Sequence, residues 1–115
     1  MKNRREILWY KNYFTEFYVP LPTGVRSKIK YVLELVRTEE NIPVRFFKHL
    51  EDVKGLYEIR IEYESNIYRI FCCLDKGKIV VLFNGIQKKS RRTPLKDIQL
   101  AARIMKEYFK EKKGE

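Results

Sequence analysis

Residues 55–71 read GLYEIRIEYESNIYRIF. Tyr57, Ile59, Ile61 and Tyr63 alternate with Glu58, Arg60, Glu62 and Glu64, the period-two pattern of a strand. Ser65-Asn66 suits a tight turn, and residues 67–74 read as the returning strand of a hairpin. Two residues stand out in it. Arg60 and Arg69 are permanent cations inside strand-forming runs. An arginine flanked by Tyr68 and Ile70 in a central strand needs a partner, either Glu62 or a ligand.

Asp75-Lys76-Gly77 is a second turn signal. Residues 78–83 follow as a third strand, nearly all apolar, as expected of a central strand covered on both faces. With two-residue turns at Ser65-Asn66 and Lys76-Gly77, Glu62 lies opposite Arg69 and Arg69 opposite Asn84. Arg60 then faces Phe71, which faces Leu82. Arg60, Glu62, Arg69 and Asn84 would share one sheet face, although a three-residue turn at Asp75 flips the third strand. Gly85 is read as ending that strand, and Lys88, Lys89, Arg91 and Arg92 follow. Thr93 is a good N-cap and Pro94 a good first residue for a last helix reaching about Lys110. Its inward residues are Leu95, Ile98, Ala101, Ala102, Met105 and Phe109. Residues 110–115 read as a frayed tail.

Upstream, residues 6–10 suit a short first strand. A helix capped by Asn12 places Phe14, Phe17, Tyr18 and Leu21 on one face; a strand continuing to Val19 is the alternative. Residues 23–37 form an amphipathic helix with Val25, Ile29, Val32, Leu33 and Val36 in one stripe. Residues 43–50 are read as a further helical turn or two carrying Phe46, Phe47 and His49.

The 115 residues fit a single domain spanning 1–115, and 44% hydrophobic content is that of a globular chain. No apolar run approaches the roughly 18 residues of a membrane span, and the first ten residues hold too short an apolar stretch for a signal peptide. A cytoplasmic protein without a membrane partner is expected. Cys72 and Cys73 are neighbours on a strand and point to opposite faces, which suits buried reduced thiols. With His49 as the single histidine, two cysteines make no zinc site. No cofactor motif or glycine-rich phosphate loop is present. The net charge of +10 favours an anionic partner, and residues 87–115 hold ten Lys/Arg against four Asp/Glu. Arg60, Arg69, Lys88, Lys89, Arg91 and Arg92 would converge near one sheet edge, where guanidinium forks fit phosphate oxygens and unpaired bases stack on planar side chains.

The succession Gly55-Leu56-Tyr57-Glu58-Ile59-Arg60, Tyr68-Arg69-Ile70-Phe71, Val81-Leu82-Phe83-Asn84-Gly85, Lys88-Lys89 and Thr93-Pro94 resembles the HigB-type toxins of the RelE superfamily. The likeness covers roughly residues 55–109, and the N-terminal half matches in the order of its elements. It implies an α+β, RelE-like fold, with helices packed on one face of a small, mostly antiparallel sheet. It also implies the toxin of a type II toxin–antitoxin pair, an endoribonuclease that cleaves mRNA in the ribosomal A site without a metal. Its partners would be the ribosome, mRNA and a HigA-like helix-turn-helix antitoxin, with operator DNA reached only through the antitoxin. By the same resemblance Arg60, Arg69, Lys88 and Lys89 are the catalytic candidates, and Lys88, Lys89, Arg91 and Arg92 the RNA-binding ones. A ribose 2′-OH would attack the adjacent phosphodiester. The arginines would stabilise the phosphorane, and Lys88 or Lys89 is a candidate base. Some relatives use a late histidine or tyrosine as acid. No histidine follows His49 here, and Tyr108 lies late on the last helix. Two other readings share the features: a ParE-like gyrase poison and a non-catalytic nucleic-acid-binding domain.

Overall fold

The hairpin forms as the alternation requires. A computed structural model, which describes residues 4–88 and 92–114, pairs β3 (Leu56–Tyr63) antiparallel with β4 (Asn66–Asp75). Glu64 and Ser65 make the turn, both left-handed at φ 48° and 69°, the conformation whose twist matches a two-residue hairpin. The turn thus falls one residue before the expected Ser65-Asn66. Arg60 therefore pairs with Arg69 and Glu62 with Ile67, instead of the expected Glu62 opposite Arg69 and Arg60 opposite Phe71. The slip is of two residues, so every side chain keeps its face.

β4 pairs antiparallel with β5 (Ile79–Lys88). Three residues separate Asp75 from its partner Ile79, which flips the start of β5 relative to a two-residue turn. A bulge then flips it back: Ile70 pairs with Gly85 and Cys72 with Leu82, so Phe83 and Asn84 together oppose Phe71. Arg69 consequently faces Ile86 rather than Asn84, and Lys88 faces Ile67. Gly85 does not end the strand; it lies under the Phe17 ring, where a Cβ atom would approach the ring to 2.4 Å.

β1 (Glu6–Trp9) runs parallel to β5, and β2 (Phe47–His49) antiparallel to β3, giving the order β1-β5-β4-β3-β2. The expected helix over residues 43–50 is a turn leading into β2. Phe46 accepts the Arg60 backbone N–H there, and the sheet edge takes the segment as a strand.

Alternate strand residues divide between two cores. Ile59, Ile61, Ile70, Cys72 and Leu82 meet α1 (Tyr13–Tyr18) and α2 (Thr23–Thr38) on one face. Ile29, Val32 and Val36 of α2 are fully buried there, each contributing about 1.5–3 kcal/mol. Leu56, Phe71, Cys73, Val81 and Phe83 meet α3 (Leu95–Lys113) on the other. The mostly antiparallel α+β architecture is as expected. The helices are divided, however: α1 and α2 cover one face and α3 closes the second, because β4 and β5 carry apolar residues on both sides. Cys72 and Cys73 are free and buried in opposite cores.

α3 extends past the expected frayed boundary, to Lys113. Its last turns are held by Tyr10, whose hydroxyl donates to Glu111 Oε2 at 2.7 Å, and by Lys11, 3.1 Å from Glu107 Oε2. Tyr108 donates to Asp75 Oδ2 at 2.6 Å, and Lys112 ion-pairs with the same carboxylate. No helix among the described residues is long and apolar enough to cross a membrane.

Candidate nucleic-acid site

The polar positions of β3 define the site. Glu58, Arg60 and Glu62 lie on the α3 face, since Leu56 and Phe71 on that face belong to the α3 core. Arg60 and Arg69 sit directly across from each other, an arrangement of like charges that destabilises a sheet unless compensated. Each has its own carboxylate. Arg69 Nη1 pairs with Glu58 Oε2, and both side chains are almost fully buried. Arg60 Nη2 lies 2.9 Å from Glu62 Oε2 nearer the solvent. The partner of Arg69 is thus Glu58, not the expected Glu62: the observed register sets the two acids one position to either side of Arg69, and Glu62 pairs with Arg60 instead.

Glu58 has a second task. The Thr93 hydroxyl donates to its Oε1 at 2.8 Å. Thr93 therefore does not cap α3 with its side chain; Pro94 takes the cap position, and Thr93 ties the start of α3 to the buried ion pair. This link sets the start of α3 over β3, on the same sheet face that carries Lys88 of β5. Arg60 and Lys88 are partly exposed on that face and Arg92 is exposed. Lys89 and Arg91 lie outside the described residues. Lys48 also belongs to this face: it is exposed and directly opposite Glu58. The sequence gives no sign of it, since the helical reading of residues 43–50 leaves Lys48 off the sheet and a three-residue strand is too short to show a period.

The remaining candidates sit elsewhere. Tyr108 meets Asp75 at the far end of β4, six residues from Arg69, which is about 20 Å along a strand. Asp75 is held below the usual carboxylate range by its bonds to Lys112 and Tyr108. Burial, then the Asp75 bond, pushes the Tyr108 phenol well up, and burial with the Glu111 bond pushes Tyr10 up to about 12. These groups latch α3 to the sheet. His49 accepts the Gly55 N–H at 3.1 Å and packs edge-on against Tyr57, a structural clip on the loop before β3. Among the described residues no three histidine, cysteine, aspartate or glutamate side chains are grouped to hold a metal ion.

What remains is a partly exposed guanidinium and amines on one face of the sheet, beside a buried ion pair. That set suits a phosphate backbone. A family described as phage-derived protein Gp49-like (DUF891) matches residues 16–106. The chain belongs to the Gp49-like family. No curated protein matches it in sequence. Among solved structures, a chain of the archaeal RelE–RelB complex from Pyrococcus horikoshii OT3 superposes with a TM-score of 0.55 at 16% identity, covering 77% of this chain and 99% of that one. This Gp49-like protein therefore has the RelE-like fold, which agrees with the superfamily the sequence resembles. Neither comparison singles out the HigB branch.

Proposed function

We propose that this Gp49-like protein is the toxin of a type II toxin–antitoxin pair and inhibits translation as a ribosome-dependent, metal-independent mRNA endoribonuclease. The observation that carries the reading is the cross-strand pair Arg60–Arg69, with Lys88 on the same face and Thr93 tied to Glu58 beside it. Arg60 is the partly exposed charge that stabilises the phosphorane. Arg69 is a positioning residue: buried against Glu58, it fixes the site from below. Lys88 and Lys89 are the candidates for activating the 2′-OH, and Lys88, Lys89, Arg91 and Arg92 hold the RNA strand. The ribosome supplies the in-line alignment, so modest acid–base groups suffice. The protein acts in the cytoplasm on mRNA in the ribosome. Its antitoxin is a HigA-like helix-turn-helix protein, and operator DNA is reached only through it.

The test is induced expression in a bacterial host, with and without the neighbouring small open reading frame, with growth followed and new RNA ends mapped. Growth arrest with new ends confined to translated regions, rescued by the neighbour, is expected. Arg60→Ala should fold and lose cleavage by at least about 100-fold, the scale of removing one oxyanion-type donor. Arrest with intact RNA would move the assignment to a gyrase poison, and no arrest to a binding domain.

A further inference from the structure

α3 turns a row of cations to solvent. Its buried residues, Ile98, Ala101 and Ile104, face the sheet. The side directly away from them carries Lys96, Gln99, Arg103, Lys106, Lys110 and Lys113, all exposed. With 3.6 residues to a turn these six fall within about 100° of the helix surface, and they run about 26 Å along its axis. None of the five cations is ion-paired among the described residues. The acids of α3 lie elsewhere: Asp97 is half-buried, and Glu107 and Glu111 bind Lys11 and Tyr10. Arg103–Lys106, Lys106–Lys110 and Lys110–Lys113 are like-charge neighbours at i, i+3 or i, i+4, which loosen a helix where alternating signs would tighten it. The helix dipole favours Lys110 and Lys113 in the last turn, but not Arg103 and Lys106.

A row of apolar side chains runs beside the cations. Leu95, Ala102 and Phe109 follow one another at i, i+7 and i+14. Leu95 is 61% exposed, and Ala102 and Phe109 are half-buried. Ala102, Met105 and Phe109 line a groove of about 560 Å³ whose other walls are Lys106, Lys110 and Lys113. Both rows begin next to Thr93, which Glu58 holds on the face that carries Arg60 and Lys88.

We infer that α3 is a track for single-stranded RNA. It continues the strand held at the Arg60–Lys88 cluster, with phosphates on the Lys96–Lys113 row and bases against Leu95, Met105 and Phe109. A single strand presents these two features side by side, a charged backbone and unpaired base faces. Duplex RNA hides its base faces and leaves the apolar row unused. An acidic partner helix would also match the charge, but the row starts four residues after Arg92, which favours a strand that passes through both surfaces. The inference rests on the proposed function only in taking the strand at Lys88 to be RNA, and it requires no cleavage.

The probe is a labelled single-stranded RNA of about twelve nucleotides, within the range that such surfaces cover. Its binding to the full-length protein is followed by anisotropy across a salt series. Lys106→Gln/Lys110→Gln should lower the slope of log affinity against log salt by about 1.4, the release from two single-strand phosphate contacts. Lys30→Gln/Lys78→Gln makes the same charge change between β1 and α2 and should leave the slope alone. Phe109→Leu, with circular dichroism confirming its fold, should weaken binding at least about fivefold at an unchanged slope, because leucine fills the space but offers no ring to stack on. Equal slopes for the two double variants overturn the inference, whatever Lys88→Gln does. A slope lowered by Lys106→Gln/Lys110→Gln but not by Lys88→Gln supports the α3 track and overturns the Lys88 site instead. A duplex bound as tightly as the single strand overturns the inference in favour of folded RNA. A glutamate-rich peptide bound more tightly than the RNA, and weakened by Lys106→Gln/Lys110→Gln, overturns it in favour of an acidic protein partner.

Discussion

Two arginines directly opposed across a hairpin are a cost unless each is neutralised, and here the two neutralising acids are unequal. The outer pair, Arg60–Glu62, is open to water, so its net contribution to stability is small. The inner pair, Arg69–Glu58, is buried and also receives Thr93. Removing one member of a buried pair strands the other charge. Arg69→Ala should therefore destabilise the fold by about 3–5 kcal/mol. Replacing both members, as Glu58→Leu with Arg69→Met, should recover most of that loss, as read from urea unfolding of the single and double variants. A double variant no more stable than Arg69→Ala would refute the pair as the source of the effect. The need for an acid beside Arg69 was legible in the sequence. Which acid was not. Glu58 and Glu62 share a face by period two; a turn opening at Glu64 rather than Ser65 moves Glu62 from opposite Arg69 to one side of it, and the choice then falls to burial, Glu58 lying inside and Glu62 toward solvent with Arg60. Glu64 in a left-handed conformation is not a turn signal that composition reveals.

At the scale of elements, the strands and the two long helices were readable from their periodicity, whereas the devices joining them were not. The bulge at Phe83–Asn84 leaves no mark in an apolar run, yet it returns Lys88 to the face of Arg69. β2 is three residues long and follows a proline, too short for period two to register. A glycine after an apolar run signals a strand end, but the small size of Gly85 serves close packing: α1 docks on β5 with the Phe17 ring where a side chain would stand. Gly85→Ala should cost about 1–3 kcal/mol by overpacking, and adding Phe17→Leu should return part of it; thermal unfolding of the two variants checks this. The far end of α3 depends on Asp75. Its folded pKa lies below the unfolded value of about 3.8, so it takes up a proton less readily in the folded chain. The stability it contributes is present above that unfolded value and is lost as pH falls through the folded one. Asp75→Asn should lower stability at neutral pH by about 1–3 kcal/mol and flatten the decline below pH ~4 that the native chain shows in denaturant melts. An unchanged acid limb would show that the latch contributes nothing.

For the whole molecule, the question is how a net charge of +10 is distributed over the surface. The sheet separates two cationic surfaces. One is the Arg60–Lys88 cluster on the α3 face, beside Thr93. The other lies between β1 and α2, where Lys30 and Lys78 stand among Glu6, Ile7, Leu33 and an Arg37–Glu34 ion pair. A uniformly basic protein would bind RNA over its entire surface, and removing any lysine would weaken binding alike. The division described here requires a different result. Binding of a single-stranded RNA oligomer should weaken linearly with the logarithm of salt concentration, and Lys88→Gln should reduce the slope by about 0.7, the release expected from one phosphate contact on a single strand. Lys30→Gln removes the same charge from the other surface and should leave the slope unchanged. Equal slopes for the two variants would mean that the RNA senses the net charge and not the face, and the site built around Arg60 would lose its claim to the substrate.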